Sequence, residues 1–247
     1  MPPLRPWSPI PIADPGEPLD DLPPGLWRLE PHPYQALGAP YGPAASPFRL
    51  RRGVIERLER AQERLRQHRP QWRLAIFDAW RPLAVQAFMV RHAFREACRE
   101  RGLDPEAFGL PQQAVAAEVD RFWAPPSADP ATPPPHSTGA AVDLTLAEDS
   151  GLPLAMGGEI DAIGAISEPD HYAGAAPGSE AAAWHERRRL LAAVMEESGF
   201  AQHPNEWWHF SHGDQLWAWR RGEPQALYGA VAAGVAGAAD GAVEGAG

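Results

Sequence analysis

The clearest periodicity in the chain lies in "GVIERLERAQERLRQH", residues 53–68, where Val54, Leu58, Ala61 and Leu65 recur at spacings of 4, 3 and 4 among charged neighbours. That stripe predicts an amphipathic helix resting on a core. The apolar run "WRLAIF" (72–77) has the length of a buried strand, and "DAWRP" closes it before Pro82 opens a second helix, "PLAVQAFMVRHAFREACRE". Arg81 therefore falls at a strand-to-helix junction. Residues 101–135 join one helical stretch, "EAFGLPQQAVAAEVDRFW", to prolines that cannot continue it, "APPSADPATPPP". "VDLTL" (142–146) alternates and is β-branched, which predicts a strand with Asp143 near its start. Residues 147–183, rich in Gly, Ala, Pro and acids, read as a long loop. "AWHERRRLLAAVMEESGF" reads as a helix with Leu190, Leu191, Val194 and Met195 inward and Gly199 as its C-terminal cap. The last predicted strand is "EWWHFSH" (206–212).

The two ends lack such patterns. Residues 1–25 are proline-rich and are expected to lie extended over the surface with little chemistry of their own. From 229 to 247 nothing larger than valine is available to bury, so a disordered tail is expected there, leaving 26–228 as one domain. Strands and helices do not alternate strictly, which points to an α+β class with a central, mostly antiparallel sheet flanked by helices.

Composition narrows the function. A chain of 247 residues with 44% hydrophobic content can bury a substantial core. Its net charge of -10 opposes phosphate backbones and anionic lipid, so neither nucleic acid nor membrane is expected as a partner, and a small or peptide-like ligand is favoured. Cys98 is the single cysteine, which excludes an intramolecular disulfide and a cysteine-based zinc cluster. The start of the chain carries prolines and acids where a signal peptide needs a basic start and an apolar run, and no stretch has transmembrane length; cytoplasmic residence is the expectation.

Candidate chemistry begins at "PPPHSTGAAVDLTL". His136 and Asp143 lie seven apart, and a turn at Gly139 would fold the histidine back toward the strand, with the small residues of "TGAA" letting the backbone pass close to a metal. Two neutral imidazoles and one carboxylate suit a catalytic zinc, which keeps its fourth position for water; His209 is the third ligand chosen. On spacing alone, surface or turn duty for His136 and Asp143 remains open. Glu206 precedes His209 by three in an aromatic run, where a buried carboxylate is costly unless paired. Strand alternation would put Glu206 and His209 on opposite faces, so both can address one site only if the segment bends or bulges. The alternative is an edge strand with both side chains solvated. His212 is a further candidate, as a replacement ligand or a donor behind the ligands; His203 and His171 are weaker.

Taken together, "HSTGAAVDLTL", "EWWHF", "FDAWRP" and "MGGEID" resemble the D-alanyl-D-alanine dipeptidases, zinc metallopeptidases known from vancomycin resistance and bacterial D-alanine recycling, over roughly residues 50 to 215. The resemblance implies one zinc per chain on His136, Asp143 and His209, Glu206 as catalytic base, Arg81 on the scissile carbonyl and Asp161 holding the substrate's amino group. It implies a dipeptide substrate and the fold shared with bacterial zinc D,D-carboxypeptidases and the Hedgehog signalling domain. Pro134 and Pro135 stand where resistance-type enzymes carry serines, so a hydroxyl for the substrate is missing here. Two rival readings share the fold. One is a D,D- or L,D-carboxypeptidase acting on longer peptidoglycan peptides; the other is a non-catalytic zinc domain that binds a partner.

Overall fold

A computed structural model describes residues 4–42 and 46–232. In chain order the elements are β1 (Leu19–Asp21), β2 (Trp27–Arg28), α1 (Pro33–Ala36), β3 (Arg49–Arg51), α2 (Arg52–His68), β4 (Trp72–Asp78), α3 (Leu83–Glu100), α4 (Leu110–Phe122), β5 (Ala141–Glu148), α5 (Glu180–Glu197), β6 (Ala201–Gln202), β7 (His209–Ser211) and α6 (Gln215–Arg221). The main sheet has five strands in the order β2-β4-β5-β7-β6; β2 and β4 run parallel and every other pair is antiparallel. A separate two-stranded sheet pairs β1 with β3. The class is thus α+β with a mostly antiparallel sheet flanked by helices.

Alternation along β5 divides the molecule. Val142, Leu144 and Leu146 are fully buried and join Leu74 and Ile76 of β4, Phe210 of β7, Val54, Leu58, Ala61 and Leu65 of α2, and Leu191, Val194 and Met195 of α5 in the main core. Each such aliphatic chain contributes roughly 1.5–3 kcal/mol on burial. With period 2, Asp143 must then lie on the opposite face. A second cluster, built on Val85 and Met89 of α3 and Val115 and Val119 of α4, packs around Tyr34, Tyr41 and Trp123.

Several expectations are met at the level of elements and altered in detail. Helix α5 buries Leu191, Val194 and Met195 and leaves Leu190 half-buried. Gly199 follows that helix at φ 97°, the left-handed geometry of a C-terminal cap. Strand β5 continues to Glu148, inside the stretch expected to be loop, and is bridged there by Pro153 to Ala147; a short 3-10 turn, Ala165–Ser167, lies farther on. The last strand is three residues instead of seven. Residues 203–208 form a turn and a bend, because the Trp207 backbone N–H donates to the Ser167 carbonyl and the Gln202 side-chain Nε2 donates to the Trp207 carbonyl.

The proline-rich first 25 residues are not confined to the surface. Leu19 of β1 is buried, and Trp7 packs edge-on against His203 with centroids 5.7 Å apart. Most of the stretch expected to be a disordered tail, 233–247, lies outside the described residues; at its start the Val231 amide donates to the Ser137 carbonyl. Among the described residues no helix is long and apolar enough to cross a membrane.

Candidate active site

Sheet register brings the polar residues together. Asp143 of β5 pairs directly with His209 of β7, so both side chains leave the same face as cross-strand neighbours. On its other side Asp143 faces Asp78. A bulge in β4 between Ile76 and Asp78 shifts the pairing by one residue; without it Phe77 would stand opposite Asp143. His136 arrives from a 3-10 turn, Pro135–Thr138, ended by Gly139 at φ 70° and ψ 17°. The expected turn at Gly139 is thus present in left-handed geometry, and the glycine has a further reason to be small. A Cβ at this position would strike the Leu19 side chain of β1, so the small residue makes room for the neighbouring strand.

Three ligand side chains converge. His136 Nε2 lies 3.1 Å from Asp143 Oδ2, His209 Nδ1 lies 3.0 Å from Asp143 Oδ1, and the two nitrogens are 3.2 Å apart. All three side chains are buried. The outer ring nitrogens are engaged: His136 Nδ1 donates to the Ala79 carbonyl at 2.7 Å, and Ser211 Oγ, whose own hydrogen goes to Asp214, accepts from His209 Nε2 at 3.2 Å. Those bonds select the tautomers whose lone pairs point inward. Asp143 Oδ1 correspondingly lacks a hydrogen-bond donor. Three inward acceptors this close repel one another unless a cation sits among them. Tetrahedral zinc with bonds of about 2.0–2.1 Å separates its ligand atoms by about 3.3 Å, close to the 3.2 Å between the two nitrogens, with an Asp143 oxygen within 3.1 Å of each. The donor set therefore fits zinc, and among the described residues His136, Asp143 and His209 are a group that could hold a metal ion.

Without a cation, protons take its place. Burial disfavours a charged His136, but the Asp143 carboxylate outweighs it and the imidazole's pKa rises. Burial pulls His209 down. Asp143 itself is held far below the usual carboxylate range, because the two imidazoles overcome the effect of burial. A metal at this site thus competes with a proton on His136.

Glu206 stands beside the ligands. Its Oε2 is 3.6 Å from His209 Nδ1 and its Oε1 is 3.6 Å from His203 Nδ1. The bend at 206–208 takes Glu206 out of strand alternation, which is how it reaches the same site as His209. Burial pushes its carboxyl well above the usual range, and the negative charges of Asp143 and Asp161 push it further.

Arg81 is buried at the strand-to-helix junction. Its Nε and Nη2 donate to Asp78 Oδ2 at 3.0 and 2.8 Å, and Nη2 also reaches Asp143 Oδ2 at 3.3 Å and Tyr34 Oη at 3.3 Å. Its Nη1 donates to Gln86 Oε1 at 2.9 Å, and Tyr34 and Trp123 flank the guanidinium at 5.0 and 5.1 Å. The local pairing with Asp78 and the approach to the ligands therefore occur together. Asp78 is fixed in turn by His32 Nε2 at 3.0 Å and Tyr41 Oη at 3.1 Å. Asp161 adopts φ 67°, rare for a residue with a side chain, and accepts from Tyr34 Oη at 2.7 Å. Burial, with help from the Asp143 charge, pushes its carboxyl up to about 7.

His136, Asp143, His209, Glu206, Arg81 and Asp161 line one cleft of about 550 Å³ including its mouth, whose walls also carry Arg5, Trp7 and Trp123. Sequence reasoning did not find Arg5, Trp7, Tyr34 or His32. The first two lie in a segment with no periodicity. His212 is brought elsewhere: alternation turns it to the other face of β7, where Nδ1 donates to the Gly199 carbonyl at 2.9 Å and the ring packs edge-on against Trp217. His171 is exposed, and Trp207 and Trp208 are core side chains.

The chain matches the family described as D-ala-D-ala dipeptidase over residues 28–225. It is 47% identical over 225 residues to a D-alanyl-D-alanine dipeptidase of Synechocystis, covering 88% of this chain and 91% of that protein. An Escherichia coli D-alanyl-D-alanine dipeptidase is 32% identical over 137 residues, 56% of this chain and 53% of that one. Among solved structures, a mutant of the vancomycin-resistance D,D-pentapeptidase VanY in complex with Zn(II) aligns with a TM-score of 0.48 and 15% identity over 90% of this chain and 96% of that chain. With four-fifths of its length inside the family match and a close full-length relative, the chain belongs to the D-alanyl-D-alanine dipeptidase family and is a peptidase.

Proposed function

We propose that the protein hydrolyses D-alanyl-D-alanine or a related D,D-dipeptide to free amino acids, with one zinc held by His136, Asp143 and His209. The observation that carries this reading is the trio of inward-facing acceptors with a carboxylate standing beside them and off them. When bound, zinc supplies Lewis acidity to water and to a peptide carbonyl. Glu206 then takes a proton from water at a carboxylate oxygen and delivers it to the leaving amine. Its raised pKa in the metal-free protein favours holding that proton, and a divalent cation nearby pulls the group back toward the carboxylate it needs at the start.

Arg81 has five N–H donors. Asp78 takes two, Gln86 one, and Tyr34 with Asp143 another, so one Nη1 hydrogen remains for the oxygen that gains charge as the carbonyl is attacked. Asp78, His32 and Tyr41 hold the guanidinium still, so little reorganisation is needed. Asp161, kept in place by Tyr34, pairs with the substrate's ammonium. Trp7 and Trp123 wall the cleft and limit water.

The test is turnover of D-Ala-D-Ala by zinc-loaded parent and Glu206→Gln. Glu206→Gln should keep its zinc and lose at least about a hundredfold in kcat. Near-parent turnover would remove Glu206 as the base, and a parent inactive on free D,D-dipeptides but active on longer peptides would move the protein to the carboxypeptidase reading.

A further inference from the structure

Three carboxylates, Asp143, Asp161 and Glu206, face the cleft, so a substrate bearing an anionic end needs a cation that they have not already neutralised. Arg81 is committed to Asp78 and Asp143. Neutral donors near the ligand turn are spent as well. Ser137 and Thr138 donate their hydroxyls to the carbonyls of Pro134 and Pro135, the Gln86 amide donates to the Ala124 carbonyl, and Pro135 has no N–H. Arg121 also lines the cleft but is exposed at the end of α4.

Arg5 remains. It is half-buried, and Nη2 donates to the carbonyls of Asp120 and Trp123, the latter at 3.1 Å. Those carbonyls belong to the C-terminal turn of α4, where helix ends attract cations, so the side chain is anchored by neutral groups, and the charges of Asp120 and Glu206 act on it only from beyond ion-pair distance. Its Nε and Nη1 have no protein hydrogen-bond partner, and no carboxylate approaches it within 4.0 Å, among the described residues. It shares the cleft wall with Trp7, Pro135 and His136, and its charge is felt by His203 and Glu206. Burial disfavours the charged guanidinium by more than Asp120 and Glu206 favour it, and an incoming anion would relieve that cost.

We propose that Arg5 binds the substrate's terminal carboxylate and makes the enzyme select a free carboxyl end. This assignment rests on the dipeptidase reading. Under it, Asp161 takes the ammonium and Arg5 the carboxylate of one zwitterion, so the first residues of the chain, which have no periodic pattern, set substrate length at the carboxyl side. A guanidinium offers two parallel donors to a carboxylate, and a terminal amide cannot accept in the same way.

The experiment compares kcat and KM for D-Ala-D-Ala and D-Ala-D-Ala-amide in the zinc-loaded full chain, parent against Arg5→Gln, with thermal unfolding as a check on folding. Arg5→Gln should lower kcat/KM on the free acid about ten- to a hundredfold, mainly through KM, and leave the amide within about twofold, so the acid-over-amide preference collapses. Should Arg5→Gln fail to fold, Arg5→Lys keeps the charge without the planar donor pair, and it should retain only part of the preference. Equal losses on both substrates would make Arg5 a brace for α4 and overturn the proposal. So would a variant that keeps the parent's preference. A parent that cuts the amide as readily as the acid overturns the Arg5 assignment alone, whereas a parent that cuts neither overturns the dipeptidase reading and this assignment with it.

Discussion

Replacing Gly139 by alanine perturbs the turn that delivers His136. Gly139 sits at φ 70° and ψ 17°, where an alanine costs about 1–2 kcal/mol. The new methyl would also strike the buried Leu19 side chain of β1, and overpacking of this kind adds about 1–3 kcal/mol. Gly139→Ala should therefore lose about 2–5 kcal/mol, a large share of the roughly 5–15 kcal/mol that holds a typical domain. Chemical denaturation of the metal-free protein measures it. Leu19→Ala removes the atom that is struck and leaves the backbone conformation untouched. In the double variant the overpacking part should disappear, giving a favourable coupling of about 1–3 kcal/mol, while the backbone part persists. A Gly139→Ala protein within about 0.5 kcal/mol of the parent, or strictly additive losses in the pair, would refute the reasoning about this turn.

Asp161→Ala should shrink the preference for D-Ala-D-Ala over its N-acetyl form from about ten- to a hundredfold to a few-fold, and an undiminished preference in steady-state kinetics would remove Asp161 from amine recognition. His212 supplies a pH test away from the ligands. Burial lowers its pKa from 6.5 to about 4, so its contribution to stability is complete above about pH 6.5 and is lost as pH falls toward 4. Between pH 7 and pH 5 this group alone should cost the parent about 2 kcal/mol, and His212→Asn should be less acid-sensitive by that amount in urea titrations; identical pH dependence in the two proteins would contradict it.

The parts of the site that were legible in the sequence are the local ones. Gly139 between His136 and Asp143 signalled a reversing turn, because few residues other than glycine accept that backbone geometry. Arg81 could be placed at a junction because Pro82 marks where a helix can begin. Pairing between distant segments was not legible. The register that sets Asp143 against His209 joins residues 66 apart, and the bulge that brings Asp78 alongside depends on where β4 meets β5. Glu206 illustrates the limit from the other side. Alternation correctly warned that Glu206 and His209 conflict on one straight strand, but the bend that resolves it is held by Ser167 and Gln202, which no pattern near 206 discloses. Arg5 and Trp7 escaped for the same reason, since their contacts are with α4 and His203 rather than with neighbours in the chain.

Zinc content of the purified protein is the most direct measurement of the central claim, that His136, Asp143 and His209 together hold a cation in place of a proton. The parent should carry about one zinc per chain, and His136→Ala, Asp143→Ala and His209→Ala should each lose most of it while Glu206→Gln retains it. Parent-level zinc in all three ligand variants, or a parent that binds none after incubation with zinc at neutral pH, would contradict the account.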